Sequence, residues 1–305
     1  MSARFAVIDL GTNSVKFHVG ETDGHGTWRT VVDRSAVTRL GEGLEATGQI
    51  ATAALERTVR TLETMTAEAR AQHVRAMVAV ATAGMRMARN RDDVIAAIRD
   101  RTGLDVEVLP AEEEARLAYL AAVNALGPND GPTVVFDTGG GSSQFTFGRG
   151  THVEERFSLK VGAVRYMEKF GLDHAVTPDV IRDVGRSLAT DLARLDGRNG
   201  SHTLVGIGGA VTTMAAVVHG MTQYDARVIA GTVLTRSEAD RQVDLYASMS
   251  AQDRRMIAGM PPAREDIILA GACIVRAIME RLNAERMTVS DRGLRHGVLI
   301  ERFGP

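Results

Sequence analysis

Two short β-rich stretches near the start of the chain are separated by a polar turn. Arg4 to Asp9 and Val15 to Gly20 are rich in residues that favour β-strands, and glycine, threonine, asparagine and serine lie between them. Strands joined by so short a turn predict a hairpin. The first strand ends on an aspartate, so the pattern places a carboxylate beside the turn.

The same pattern returns in the middle of the chain. Thr133 to Asp137 and Gln144 to Phe147 are predicted strands, and the turn between them, Thr138 to Ser143, contains three consecutive glycines. Asp9 and Asp137 occupy corresponding places in the two patterns. The repeat distance is too long for a solenoid and predicts two domains of one architecture.

Strands and helices alternate along the rest of the chain. Helices are predicted at residues 51–71, 91–102, 112–125, 178–195, 211–218, 237–249 and 264–283, and further strands at 76–81, 106–109 and 203–207. This alternation predicts the α/β class, with a mixed sheet in each domain. The segment GPNDGP, residues 127–132, is the predicted linker, so the domains are predicted at residues 1–125 and 126–305.

Composition narrows the class of protein. Hydrophobic residues make up 44% and charged residues 24% of the 305 residues, which is typical of a globular protein with packed cores and a charged, hydrated surface. The net charge of -2 argues against a nucleic-acid partner. No stretch approaches the roughly 20 apolar residues of a membrane span, and the apolar N-terminal stretch is too short for a signal peptide. Cys273 is the only cysteine, so we expect a cytoplasmic protein without an intramolecular disulfide.

The aspartates beside glycine-rich turns suggest phosphate chemistry. Glycines let backbone N–H groups approach an anion, and a carboxylate can hold Mg²⁺ directly or through water. One such loop is more often only a hairpin turn. Here it occurs as DLGTNS (Asp9 to Ser14) and DTGGGSS (Asp137 to Ser143), with GIGG (Gly206 to Gly209) as a third glycine-rich segment. The P-loop, G-x-G-x-x-G, zinc-protease and nucleophile-elbow motifs are absent from the sequence.

Six ordered segments make the chain similar to the exopolyphosphatase/guanosine-pentaphosphate phosphatase family. They are DLGTNSVK, ATAGMRMARN (residues 81–90), EEEARLAYL (112–120), FDTGGGSSQF, GIGGAVTTMAA and GLRHGVL (293–299). The resemblance implies duplicated ribonuclease H-like domains of the actin, Hsp70 and sugar-kinase superfamily, closing on a central cleft where the Asp9 and Asp137 loops face each other. It also implies a short form without the C-terminal helical domain of longer members. We expect the last helix to pack on the N-terminal domain.

The resemblance assigns roles to individual residues. Glu114 corresponds to the glutamate that activates the attacking water, a base that phosphoanhydride hydrolysis needs. From the residues alone, glutamates at 112–114 fit equally well as the first turn of a helix, where the dipole favours negative charge. Asp9 and Asp137 are implied to contact Mg²⁺ or Mn²⁺. The residues expected to contact phosphate or line its channel are Asn13, Ser14, Lys16, Arg86, Gly139, Gly140, Gly141, Ser142, Ser143, Gly208, Gly209 and Arg295.

One position departs from the family pattern. Most active members carry a glutamate after the glycine-rich loop that helps hold metal or water, and here that position is Gln144. The amide oxygen can coordinate a metal ion, but the amide cannot act as a base. We therefore expect a reduced metal affinity or rate. The eight histidines show no spacing typical of metal ligands, and we expect surface or core roles for them.

Several functions share these motifs. The first hypothesis is a metal-dependent exopolyphosphatase that releases orthophosphate from the end of inorganic polyphosphate. A guanosine pentaphosphate (pppGpp) phosphohydrolase fits the same residues. An ATP-dependent kinase of the same superfamily and a non-catalytic sensor of polyphosphate or guanosine alarmones also stay open, the sensor because of Gln144. We expect no nucleic-acid or membrane partner, and the family implies a homodimer.

Overall fold

The computed structural model describes residues 2–23, 28–127, 130–198, 200 and 202–304. The chain divides into two compact units: unit 1 is Met1–Ala118 with Leu294–Pro305, and unit 2 is Tyr119–Gly293. The predicted domain boundary at residue 125 stays a prediction. Pro128 and Asn129 of the predicted linker lie outside the described residues.

Strands and helices alternate as predicted, which confirms the α/β class. In chain order the strands are β1 (Ala3–Leu10), β2 (Ser14–Thr22), β3 (Trp28–Val37), β4 (Ala76–Ala81), β5 (Val106–Val108), β6 (Pro132–Thr138), β7 (Ser143–Arg149), β8 (His152–Leu159), β9 (Thr203–Ile207), β10 (Val233–Thr235) and β11 (Arg286–Val289). The helices are α1 (Leu44–Thr47), α2 (Thr52–Ala71), α3 (Ala83–Met87), α4 (Arg91–Thr102), α5 (Ala111–Leu126), α6 (Ala163–Phe170), α7 (Pro178–Asp191), α8 (Gly209–Val218), α9 (Ala226–Ile229), α10 (Arg236–Ala247), α11 (Ala251–Arg254), α12 (Ile268–Arg281) and α13 (Leu294–Phe303).

Unit 1 is built on a five-stranded mixed sheet in the order β3-β2-β1-β4-β5. The predicted hairpin is confirmed: β1 and β2 pair antiparallel, and β1, β4 and β5 run parallel. Side chains on β1 alternate between the two faces of the sheet. Ala6, Ile8 and Leu10 pack in a core with α2 and α4, whereas Val7 packs with Leu109 and α13. Burial on both faces explains the uninterrupted hydrophobic stretch Phe5–Ile8 within β1.

Unit 2 repeats this plan with six strands in the order β10-β11-β9-β6-β7-β8. Its first two strands, β6 and β7, form the second predicted hairpin, and β6, β9 and β11 run parallel. Helix α12 lies in the core of this unit, and eight consecutive residues from Ile268 to Val275 are buried. Cys273 is among them, and burial raises the pKa of its thiol to about 12.

The sequence pattern missed or misplaced several elements. Strands β3 and β8 were not predicted, because their exposed positions carry charged residues that break the hydrophobic alternation. The helix predicted at residues 264–283 begins only at Ile268. It follows a turn in which Ala263 has a φ of 60° and Arg264 N–H donates to the Pro261 carbonyl. The helix predicted at 178–195 ends at Asp191, and a short 3-10 turn at Ala193–Leu195 follows.

No helix within the described residues has both the length and the apolar character that crossing a membrane requires.

Candidate active site

The two hairpin turns have the same length and the same closing hydrogen bond. In unit 1, Gly11 N–H donates to the Ser14 carbonyl at 3.1 Å, and in unit 2, Gly139 N–H donates to the Ser142 carbonyl at 2.9 Å. The strand pairing then places Asp9 opposite Lys16, and Asp137 opposite Gln144. The turns are therefore equivalent position by position, with Lys16 and Gln144 in the same place.

Three parallel strands of unit 1 end at one edge of the sheet. Leu10 of β1 pairs with Ala81 of β4, which pairs with Val108 of β5, so the residues that follow these strands lie at a common edge. The carboxyl edge of parallel strands is the usual ligand site of open α/β sheets. It carries Asp9 near the end of β1. The short helix α3, with Arg86 in its last turn, and α5, with Glu114 in its first turn, also begin at this edge.

Asp9 is almost completely buried, with 1% of its surface exposed. Lys16 Nζ donates to its Oδ2 at 3.1 Å. Within the described part of the chain, the other oxygen, Oδ1, has no hydrogen-bond partner and no access to water. A buried anionic oxygen in this state is costly unless a cation or donor meets it, so Asp9 fits the binding of a hard divalent cation.

Glu114 is buried in the first turn of α5 and is held by Arg86. Arg86 Nη1 donates to Glu114 Oε2 and to the Leu109 carbonyl, each at 2.8 Å. The guanidinium is thus fixed at both the strand end and the carboxylate, and it orients Glu114. The observed role of Arg86 is this ion pair, and its predicted contact with phosphate stays a prediction.

The structure separates the three consecutive glutamates that the sequence left equivalent. Glu112 is exposed, and Glu113 forms an ion pair at 2.7 Å with Arg116, one turn along the helix. Glu114 alone among the three is buried, with 7% of its surface exposed. The helix dipole favours a carboxylate at all three positions of the first turn. Only Glu114 combines burial with an ion pair to Arg86, a combination that is typical of functional carboxylates.

The unit 1 turn also offers a hydrogen-bond donor. The backbone carbonyl of Asn13 accepts the N–H groups of Thr38 and Arg39, at 3.1 and 2.9 Å, which fixes the turn. Asn13 Nδ2 is buried and has no hydrogen-bond partner among the residues that the structure describes. Ser14 is buried beside it. An amide donor in this state suits an anionic oxygen, as the predicted phosphate contact requires.

In unit 2, Asp137 packs directly on the glycine-rich segment after β9. Asp137 pairs with Ile207, so Gly208 follows at the same sheet edge, as the residue preceding α8. Gly208 has a φ of 98°, which favours glycine, and a Cβ at residue 208 would lie 2.6 Å from Asp137 Oδ1. Two independent constraints therefore require glycine here, and both keep the carboxylate close to the start of α8.

The loop Gly139–Ser143 is fixed by its carbonyl groups. The Gly139 and Gly140 carbonyls accept the N–H groups of Ala163 and Val164, each at 2.9 Å, at the start of α6. Ser143 Oγ donates to the Val161 carbonyl at 2.7 Å. The loop, including Gly141 and Ser142, is thereby held in one conformation against the helix that follows β8.

Gln144 is buried and is held by two serine hydroxyls. Its Nε2 donates to Ser142 Oγ at 2.7 Å and to Ser158 Oγ at 3.4 Å. A hydroxyl can either donate or accept, so the same two serines could donate to a carboxylate at this position. The pocket around Gln144 is therefore compatible with the glutamate of the family pattern.

Arg264 is a candidate site residue that the sequence pattern missed. A Cβ on Gly209 would lie 2.5 Å from Arg264 Nη1 and 2.6 Å from its Cζ, so the guanidinium lies against the first turn of α8. Burial lowers the pKa of Arg264, and the charge of Asp266 partly offsets this. A guanidinium beside a glycine-rich segment suits phosphate. No motif marked it, because the pattern predicted an ordinary helix from residue 264.

Arg295 forms an ion pair with a carboxylate of unit 1. Its Nε and Nη2 donate to the two carboxylate oxygens of Asp33 on β3, at 2.7 and 2.9 Å. The guanidinium is thus engaged in a bidentate ion pair within unit 1. Its predicted place in a phosphate channel stays a prediction.

Comparisons with known proteins agree with these motifs. The sequence model of the Ppx/GppA phosphatase family matches residues 19–304. The chain is 30% identical to exopolyphosphatase 2 of Mycobacterium tuberculosis over 99% of both chains. It is 28% identical to the guanosine-5'-triphosphate,3'-diphosphate pyrophosphatase of Photobacterium profundum, over 99% of this chain and 59% of that protein.

A solved structure gives the same result. The crystal structure of the Aquifex aeolicus member of the Ppx/GppA family has a TM-score of 0.83 to this chain, at 31% identity, covering 99% of this chain and 98% of that one. The family match covers most of the chain. The chain belongs to the Ppx/GppA phosphatase family.

Proposed function

We propose that this protein is an exopolyphosphatase that hydrolyses the terminal phosphoanhydride bond of inorganic polyphosphate and releases orthophosphate. The observation that carries the proposal is Glu114. It is the one buried carboxylate of three consecutive glutamates, it lies at the carboxyl edge of the unit 1 sheet, and Arg86 fixes its orientation. A buried, oriented carboxylate at a ligand edge is the arrangement that general-base catalysis uses.

In this proposal, the oxygen of the attacking water bonds to the terminal phosphorus while Glu114 accepts a proton from that water. The bond between that phosphorus and the bridging oxygen breaks, and the shortened polyphosphate leaves with the bond's electron pair. Arg86 positions the base. Asp9, Asp137 and Gln144 would hold Mg²⁺ or Mn²⁺, and the buried Asp9 Oδ1 supports this assignment. Such an ion supplies positive charge that offsets the charge on phosphate oxygens.

Neutral donors and one cation are proposed to bind the phosphates. They are Asn13 Nδ2 and Ser14 in unit 1, and the Gly139–Ser143 loop, Gly208, Gly209 and Arg264 in unit 2. Lys16 forms an ion pair with Asp9 and would reduce the excess negative charge near the substrate. Backbone donors suit a polymer of repeated phosphates because they recognise oxygen geometry and need no base or sugar.

Hydrolysis of pppGpp is the second candidate. The Photobacterium profundum relative supports it, but only 59% of that protein is covered. The Mycobacterium tuberculosis exopolyphosphatase is similar over its whole length, so polyphosphate is our first choice.

A phosphate-release assay tests the proposal. The purified chain is incubated with polyphosphate, pppGpp or ATP in the presence of MgCl₂ or MnCl₂, and free orthophosphate is measured. We expect the fastest release from polyphosphate. Release from pppGpp alone would replace the first candidate with the second. Tight binding of polyphosphate without release would overturn both and favour a sensor.

A further inference from the structure

Two histidines and an aspartate that are far apart in the sequence come together in unit 1. His18 on β2 lies opposite Asp33 on β3, and His296 lies in the first turn of α13. Asp33 Oδ2 is 3.6 Å from His18 Nδ1 and 3.2 Å from His296 Nε2. One possible ligand atom from each of the three residues lies within 4.8 Å of the others.

We propose that His18, Asp33 and His296 form a binding site for a zinc-type transition-metal ion. Zn–N distances are about 2.0–2.1 Å and Zn–O distances about 2.0–2.2 Å, so two ligands of a tetrahedral ion lie roughly 3.3–3.5 Å apart. The observed separations of 3.2 and 3.6 Å bracket that value. Asp33 is therefore spaced from each histidine as two ligands of one ion would be, the two imidazole nitrogens lie within 4.8 Å of each other, and water can take the fourth position.

The donor set selects the class of metal. Two imidazoles and one carboxylate suit Zn²⁺, Co²⁺ or Ni²⁺, whereas Mg²⁺ and Ca²⁺ prefer oxygen ligands. This site is therefore separate in chemistry from the one proposed at Asp9, and it does not depend on the proposed function. The histidines are buried, with His18 2% and His296 3% exposed, while the Asp33 side chain is 19% exposed and gives an ion access.

Surrounding groups hold the ligands in the form that binds metal. Arg295 donates to both oxygens of Asp33, which orients the carboxylate as outer partners of metal ligands commonly do. Burial and the charge of Arg295 lower the pKa of His296, so its imidazole is neutral at pH 7, as ligation requires. The positive charge of Arg295 also opposes a dication, so we expect weaker binding than at a structural zinc site.

A metal at this position would link the two ends of unit 1. His18 and Asp33 belong to the N-terminal meander, and His296 belongs to α13, which packs on β1 and β2. Because the ion would bind the folded unit and not the separated segments, it should raise the thermal stability of the chain.

Calorimetric titration of the whole, metal-free chain with ZnCl₂ in excess MgCl₂ tests the site. Three variants are compared with the wild type: Asp33→Asn, His296→Gln and the control His174→Gln. His174 lies on the surface, and its Nδ1 is 2.9 Å from an Asp173 carboxylate oxygen. We expect one zinc per chain in the wild type and the control, and at least about tenfold weaker binding in the other two.

Folding of each variant is checked by circular dichroism. Asparagine has the same shape as aspartate, so Asp33→Asn still tests the site if His296→Gln fails to fold. A Co²⁺ spectrum typical of tetrahedral nitrogen and oxygen ligation, lost in Asp33→Asn, would support the site. Absence of zinc uptake by the wild type, or equal uptake by all four proteins, would overturn it. If the wild type takes up no zinc and Asp33→Asn only lowers the melting temperature, the cluster is a structural hydrogen-bonded contact and the metal-site proposal is wrong.

Discussion

The first hairpins of units 1 and 2 have the same backbone and different chemistry. Each has an aspartate before a turn that is closed by the same hydrogen bond. The residue opposite the aspartate is Lys16 in unit 1 and Gln144 in unit 2. Asp9 is therefore paired with a cation, and Asp137 lies in register with a neutral amide. The turn therefore fixes the position of the carboxylate, and one cross-strand position determines its charge environment.

The elements that follow the hairpins extend this difference. In unit 1, the helices after β4 and β5 supply Arg86 and Glu114, a positioned base. In unit 2, the helix after β9 begins with glycines against which Asp137 and Arg264 pack. Each unit therefore presents a different chemistry at its own sheet edge, a positioned carboxylate in unit 1 and glycine-rich backbone that suits phosphate in unit 2.

Removal of divalent metal should have the largest effect. Carboxylate and phosphate oxygens suit hard cations, so excess chelator should abolish phosphate release, and added Mg²⁺ or Mn²⁺ should restore it. The measurement is orthophosphate release before and after dialysis against chelator. Full activity in excess chelator would refute a metal-dependent account.

Gly208→Ala should damage the unit 2 site. The residue has a φ of 98°, and the added Cβ would press on Asp137 Oδ1. We expect a loss of about 1–3 kcal/mol in the free energy of unfolding and a rate of phosphate release reduced by about tenfold or more. Gly185→Ala in α7 is the matched control, because a Cβ there meets nothing within 4 Å. It should stabilise the helix by up to about 1 kcal/mol without changing the rate. Equal behaviour of the two variants would contradict the packing argument.

Much of this architecture follows from the sequence pattern, for identifiable reasons. The hairpins with Asp9 and Asp137 follow from the sequence because the first strand of each is a short β-rich stretch that leads through an aspartate into glycine and hydroxyl residues. Glu114 could be separated from its neighbours only by the resemblance, since burial and the pairing with Arg86 depend on how α3 and α5 pack. Arg264 and the cluster of His18, Asp33 and His296 depend on tertiary contacts that spacing along the chain does not encode.

Gln144→Glu should make the unit 2 hairpin more acidic and strengthen metal binding. One more carboxylate near a hard cation generally raises affinity, so the metal concentration for half-maximal activity should fall roughly three- to tenfold. The competing explanation is that the neutral amide reduces repulsion of a polyanion. Separate titrations of metal and polyphosphate on both forms distinguish the two. An unchanged metal requirement with a raised KM would defeat the metal explanation.

Stability should depend on His296 at mildly acidic pH. Burial, Arg295 and His18 lower its pKa well below the ordinary 6.5, against the opposite effect of Asp33. The unfolded chain then binds a proton that the folded chain does not. The free energy of unfolding should therefore fall as pH drops below about 6.5, by up to about 1.4 kcal/mol per pH unit, with no contribution from His296 above that pH.

Denaturant titrations in chelator between about pH 5 and 8 measure this slope. His296→Gln should flatten it below about pH 6.5, and the exposed His174→Gln should leave it unchanged. A slope that persists in His296→Gln would assign the acid sensitivity to other groups.

The most direct test of the account compares Glu114→Gln with Glu113→Gln in the same two measurements, the rate of phosphate release and the affinity for polyphosphate. Glu113 is a matched control because it lies one residue away and pairs with Arg116. We expect Glu114→Gln to fold and bind polyphosphate normally but to lose about 10²–10⁴ in rate, the usual contribution of a general base, whereas Glu113→Gln should change neither quantity. Near-normal turnover by a folded Glu114→Gln variant would contradict the account, because another group would then accept the proton.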